Sequence, residues 1–154
     1  MTCVQGFEFK TGASCLFDLV ERKDCNRIYQ LARPVEYVIT TDAGWLSVKT
    51  KTGFLFDGRS GPSLIDWYAP NLGSLEERVA WHMHDCLGYA QSLSFKDTNL
   101  MLKYWLRDMC GYSKAKSEII RLAVSISDSW YGVPKPGDKF YFNLPLVETE
   151  WRPR

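Results

Sequence analysis

The stretch Trp81-His82-Met83-His84-Asp85-Cys86-Leu87-Gly88-Tyr89 holds both histidines of the chain and sets an acid directly after the second. Imidazole can serve as a general base near neutral pH. A carboxylate can hold a hard cation such as calcium or magnesium. Successive helical residues point about 100° apart, so His84 and Asp85 bond each other poorly, yet both can project into one cleft. Asp97 opens the next predicted helix, where it could orient His84. Asp57 sits in the Gly-rich turn Phe56-Asp57-Gly58-Arg59-Ser60-Gly61-Pro62-Ser63 and could add another oxygen. The candidate site is therefore His84 and Asp97 as catalytic groups, with Asp57 and Asp85 as ligands of calcium or another divalent cation. The competing reading is a buried polar His84 bonded to Asp97, with Asp57 merely capping its turn. His82 stands four residues before Cys86, a spacing that could share a metal, though no third ligand follows. The turn at Asp57 lacks the Gly-Lys-Ser/Thr ending of a phosphate loop.

The elements that must position these groups change character along the chain. Val35 to Thr40 is rich in β-branched and aromatic residues, Asp42-Ala43-Gly44 supplies a turn, and Trp45 to Thr50 alternates. This pattern predicts a β-hairpin. Ile28, Tyr29 and Leu31 read as a strand before it, and Gly53 to Phe56 as a short strand after it. The period then becomes helical. Ser74 with Glu77 forms a capping box for a helix to about Ala90, with Val79, Met83, Cys86, Leu87 and Ala90 on one face. Ser94 with Asp97 opens a second helix to about Met109, carrying Leu102, Leu106 and Met109, and Gly111 ends it in the left-handed conformation. Ser113 caps a third, whose predicted buried stripe is Ile119, Ile120, Ala123, Val124, Ser127 and Trp130. Gly132 and Pro134 stop it. Strands first and helices after is the α+β layout, a small antiparallel sheet packed with three C-terminal helices.

The composition narrows the function classes. A chain of 154 residues, 45% hydrophobic, fits one domain with a substantial core. Lys and Arg number 19 against 18 Asp and Glu, with no basic stripe, which argues against nucleic acid as a partner. No apolar run approaches the roughly 20 residues of a membrane helix. The first residues lack a basic region followed by an apolar stretch, so no signal peptide is expected. The 5 cysteines are odd in number and none has C-x-x-C spacing, which predicts reduced thiols rather than a disulfide framework.

The motifs resemble those of the domain of unknown function 1353 family of phage and prophage proteins. That family shows a hairpin, a Gly-Phe-x-Thr-Asp-x-x-Ser-x-Pro turn, a His-Asp-x-Leu-Tyr helix, a helix opening Ala-Asp-x-x-Phe and a last helix ending near Trp. The matching residues are Gly53-Phe54, Asp57, Ser60 and Pro62, then His84-Asp85-x-Leu87, then Lys96-Asp97-Thr98-Asn99-Leu100, and finally Trp130. Phe56 replaces the family's threonine, Gly61 its aliphatic residue, and Gly88 its tyrosine, with Tyr89 one place later. The match covers residues 35–132 of a single domain, 1–154, and leaves N-terminal (1–28) and C-terminal (133–154) extensions. The same parts resemble the His-Asp-x-x-Tyr helix of secreted and viral phospholipases A2, where His84 would activate water, Asp85 hold calcium and Asp97 orient His84.

The phage resemblance implies a virion-associated structural protein of the tail or head–tail region, made in the host cytoplasm. Its partners would be other phage structural proteins in an oligomeric assembly, reached through terminal arms rich in aromatics and prolines. The last twenty residues or so read as such an extended arm. The alternatives are a small metal-assisted hydrolase and a cytoplasmic phage accessory or anti-defence protein.

Overall fold

The computed structural model describes residues 1–11, 13–16, 19–22, 28–56, 73–131, 135–138 and 141–154. The chain is α+β. A four-stranded antiparallel sheet in the order β1-β4-β5-β7 is built from β1 (Val4–Thr11), β4 (Val35–Thr41), β5 (Gly44–Thr50) and β7 (Val147–Pro153). A second, three-stranded sheet joins β2 (Leu19–Arg22), β3 (Ile28–Leu31) and β6 (Leu55–Phe56) in the order β2-β3-β6. Three helices follow: α1 (Leu75–Ala90), α2 (Phe95–Asp108) and α3 (Lys114–Tyr131). Helix α1 lies against the sheets, α2 against α1 and β1, and α3 against α2.

The predicted hairpin forms with Thr40 opposite Trp45 and Val35 opposite Thr50. Along β4 and β5 the residues Val35, Tyr37, Ile39, Leu46 and Val48 all face the core, because side chains alternate with period two. The helix caps also form as expected. The Ser74 hydroxyl accepts from the Glu77 amide at 3.2 Å, the Ser94 hydroxyl from Asp97 at 3.1 Å, and the Ser113 hydroxyl from Lys116 at 3.1 Å. After α2, Gly111 takes φ +71°, and the Tyr112 amide reaches back to the Leu106 carbonyl at 3.0 Å as the chain leaves the helix. The stop of α3 at Gly132 and Pro134, and the turn at Asp57–Ser63, lie outside the described residues.

Both terminal extensions contradict the expectation of free arms. In the N-terminal one, β1 pairs with β4 from Val4 to Thr11. Register shifts between Val4 and Gly6 and between Phe9 and Thr11 break its period, which hides the strand from an alternation test. Phe7 stacks edge-on against Trp105 at 5.1 Å, and Phe9 against Tyr37 at 5.6 Å. Two carboxylates fasten its start. Asp42 accepts from the Thr2 amide at 2.9 Å and the Thr2 hydroxyl at 2.6 Å, and Asp108 accepts from the Val4 amide at 2.8 Å.

At the other end, Val147, Thr149 and Trp151 turn inward while Glu148, Glu150 and Arg152 stay in water. The charges that read as a solvated arm are thus one face of an edge strand. Before β7, a 3-10 segment (Tyr141–Leu146) carries Asn143, fully buried, whose amide mimics a neighbouring strand. Its oxygen accepts from the Leu55 amide at 2.9 Å and its nitrogen donates to the Leu55 carbonyl at 2.6 Å. Gly44 is required where β7 arrives, since a Cβ there would run into the Arg152 carbonyl oxygen. The expected core stripe of α3 needs a smaller correction. Ile120 and Val124 are buried, but Ile119 points outward.

A truncation after Leu146 tests the arm against the strand. Loss of β7 uncovers one side of Leu46 and Val48, so the shortened protein is expected to lose cooperative thermal unfolding by circular dichroism. An unchanged midpoint would restore the free-arm description.

Candidate functional site

Positions 82 and 84 lie about 200° apart around α1, so the two imidazoles look in nearly opposite directions. His82 faces the sheets and is fully buried. Its Nδ1 lies 2.8 Å from the Tyr37 hydroxyl and its Nε2 lies 3.2 Å from the Thr50 hydroxyl. Thr50 in turn donates to the Val35 carbonyl at 3.3 Å. With that proton committed, Thr50 accepts from Nε2–H, and Nδ1 accepts from Tyr37. One tautomer satisfies the whole chain of bonds. The rings of Phe54 and Phe56 stand edge-on to the imidazole at 5.5 and 5.3 Å.

Burial sets the charge state of this cluster. It holds His82 down to about 3, so the ring is neutral. It pushes the Tyr37 hydroxyl well above the ordinary phenol range, with Cys86 adding to the shift. Burial and then the Asp85 charge raise the Cys86 thiol, which is therefore no ready nucleophile. The idea that His82 and Cys86 share a metal fails on geometry. The sulfur is 3.7 Å from Nδ1 and 3.8 Å from Nε2, nearly equidistant, so it does not lie along either lone pair. Both nitrogens already have partners.

His84 faces the other helices and is almost wholly buried. Its Nε2 lies 2.8 Å from the Asn99 side-chain oxygen. The Asn99 amide donates to the Ser125 hydroxyl at 3.2 Å, and that hydroxyl donates to the Arg121 carbonyl at 2.8 Å. An amide oxygen only accepts, so Nε2 carries the proton. This relay runs from α1 through α2 to α3. On the other side of the ring, Nδ1 is 3.8 Å from the Asp85 Oδ1, and that carboxylate is 14% exposed.

The expected pairing of His84 with Asp97 does not form. Asp97 is exposed and turned back on its own cap, accepting from the Ser94 hydroxyl at 2.6 Å. The reason is phase. Asn99 follows by two residues, about 200° round the helix, and that turns it towards α1. A signal for Asn99 was present in the sequence. It extends the apolar Leu102 and Leu106 stripe back by three residues, and a polar side chain on such a stripe must find a partner. So the structure brings together His84, Asp85 and Asn99, leaves Asp97 aside, and does not describe Asp57. Among the described residues, no three His, Cys, Asp or Glu side chains are grouped closely enough to hold a metal ion.

Compared with known proteins, the chain matches no family model, no curated protein and no solved structure. Among the described residues, no helix is long and apolar enough to cross a membrane.

Two measurements follow from the networks. Because the folded state holds His82 near 3 while an unfolded histidine titrates near 6.5, the unfolded chain binds more protons between those values. Its contribution is whole above about pH 6.5 and falls as pH drops, by about 1.4 kcal/mol per pH unit. Urea midpoints between about pH 6.5 and 5, above the carboxylate range, should show this slope in the wild type and its loss in His82→Gln. Replacing Asn99 by Ala leaves the His84 donor without its acceptor and is expected to cost about 1–3 kcal/mol.

Proposed function

We propose that the chain is a bacteriophage-encoded, virion-associated structural protein of the tail or head–tail region. The motif resemblance supports the reading, and the relay from His84 through Asn99 to Ser125 adds a structural use for the histidine. It engages the most chemically capable group of the chain in joining three helices, a use suited to a rigid assembly part. The resemblance of the turn and helix motifs to phage proteins supplies the setting. Neighbours in the particle meet the outer faces of the sheet and helices, because the termini are committed to the protein's own sheet. Mass spectrometry of purified particles from the encoding phage is the test. The protein is expected among the virion components, whereas its recovery only from the host lysate would favour the accessory or anti-defence role instead.

One observation favours a second reading, a small metal-assisted hydrolase. His84 is anchored at Nε2, and its Nδ1 lies 3.8 Å from the Asp85 carboxylate. A base held by one nitrogen beside a carboxylate fits water activation next to a divalent cation. Here Asp85 and Asp57 hold the cation, and Asn99 replaces Asp97 as the group that orients the imidazole. Titration calorimetry with calcium, magnesium and zinc decides it. Binding is expected on this reading, and no heat with any of the three at millimolar concentration would remove it. If hydrolysis is detected, His84→Ala should lower it by about 10²–10⁴-fold.

A further inference from the structure

The face of the four-stranded sheet turned away from the core carries one bare aromatic ring. Trp45 on β5 is 39% exposed there, the only exposed large apolar side chain of the sheet among the described residues. The strand register sets polar groups around it. Thr40 stands opposite it on β4 and Arg152 opposite it on β7. Two residues along β5, Ser47 points to the same face, with Glu150 opposite on β7. Glu150 and Arg152 form a fork, Oε1 accepting from Nε at 2.7 Å and Oε2 from Nη2 at 2.9 Å. Two planar groups that hold each other in this way keep their remaining donors and lone pairs in fixed directions.

Four residues along β5 from Trp45, about 13 Å away, the face runs into a cavity of about 210 Å³. Pro34, Val35 and Leu146 form its apolar wall, and Glu36, Lys49 and Glu148 stand at its border with the face. Lys49 pairs with Glu36 at 3.5 Å, and Lys51, which also lines the cavity, balances Glu148. With Arg152 balancing Glu150, the path from the ring to the cavity carries no net charge. These parts restrict the occupant. A polyanion needs uncompensated bases. A protein partner seats its aromatic anchors inside an apolar patch, whereas this ring stands among hydroxyls and a charged fork. A pyranose ring has an apolar C–H face that lies flat on the electron-rich face of an indole, and a rim of hydroxyls that need donors and acceptors on either side. A line of such rings fits the path from Trp45 over Ser47 to the cavity. We propose that the outer face of the sheet binds an uncharged linear glycan, stacked on Trp45 and reaching the cavity beside Lys49. The proposal depends on neither the virion nor the hydrolase reading, since it is judged on the purified chain without metal.

Heteronuclear NMR of the full chain reads the outcome, with cellotetraose, chitotetraose and maltotetraose added to about 20 mM and tetragalacturonate as the anionic control. At least one neutral tetrasaccharide is expected to shift the Trp45 indole N–H and the Ser47 and Lys49 amides saturably, and the control to leave them in place. Trp45→Ala should abolish the response with an unchanged melting temperature, because the ring it removes is exposed. Ser47→Ile favours the strand but removes the hydroxyl and fills the path, so it should weaken binding by about tenfold or more. Loss of affinity in that variant cannot be blamed on a weaker sheet. No shift with any neutral sugar, shifts indifferent to Trp45→Ala, or equal binding of the control would overturn the proposal. The same signals moving with protein concentration alone would give the face to a second copy and overturn it as well.

Discussion

A neutral imidazole sealed inside an aromatic core is the constraint around which this fold is arranged. His82 has two nitrogens, one a donor and one an acceptor, and neither can reach water. Tyr37 on β4 and Thr50 on β5 meet both needs, so the hairpin and α1 are held in one relative position. A slip of the β4–β5 register by one residue would put Tyr37 and Thr50 on opposite faces of the sheet, so that only one of them could still reach His82. A purely apolar interface between helix and sheet would tolerate such slips more readily.

Helix α1 then works in two directions. Towards the sheets it presents His82, and towards the helices it presents His84. The second network has a different character from the first. It crosses three helices through neutral partners, and a carboxylate stands at its edge. A neutral amide as the partner of the imidazole adds no charge to the interior, whereas an aspartate there would have brought one with its desolvation cost. This distinguishes the observed centre from the His–Asp pairing that the motif spacing implied.

The ends of the chain complete the sheet from opposite edges. β1 enters beside β4 and β7 beside β5, so the chain's first and last segments flank the hairpin. Carboxylates of Asp42 and Asp108 secure the N-terminal side, and Asn143 secures the approach to β7 by imitating a strand partner. Glu148, Glu150 and Arg152 on the outer face of β7 protect an edge that would otherwise invite further pairing.

The sequence by itself determined what near neighbours decide. The hairpin, the three helices and their serine caps follow from two-residue alternation, 3.6-residue periodicity and side chains that bond three residues along. The α+β class follows from their order. Tertiary structure decided what depends on residues distant in the chain. The bulged β1 and the charged β7 become strands only because β4 and β5 offer unpaired edges, a fact no local pattern contains. The choice of Asn99 over Asp97 turned on helix phase and on Ser94 already holding the aspartate. The exposure of Ile119 beside the buried Ile120 was settled by which face of α3 meets α2. A local pattern can name an apolar residue or a donor; only the packed neighbours determine what covers the one and accepts from the other.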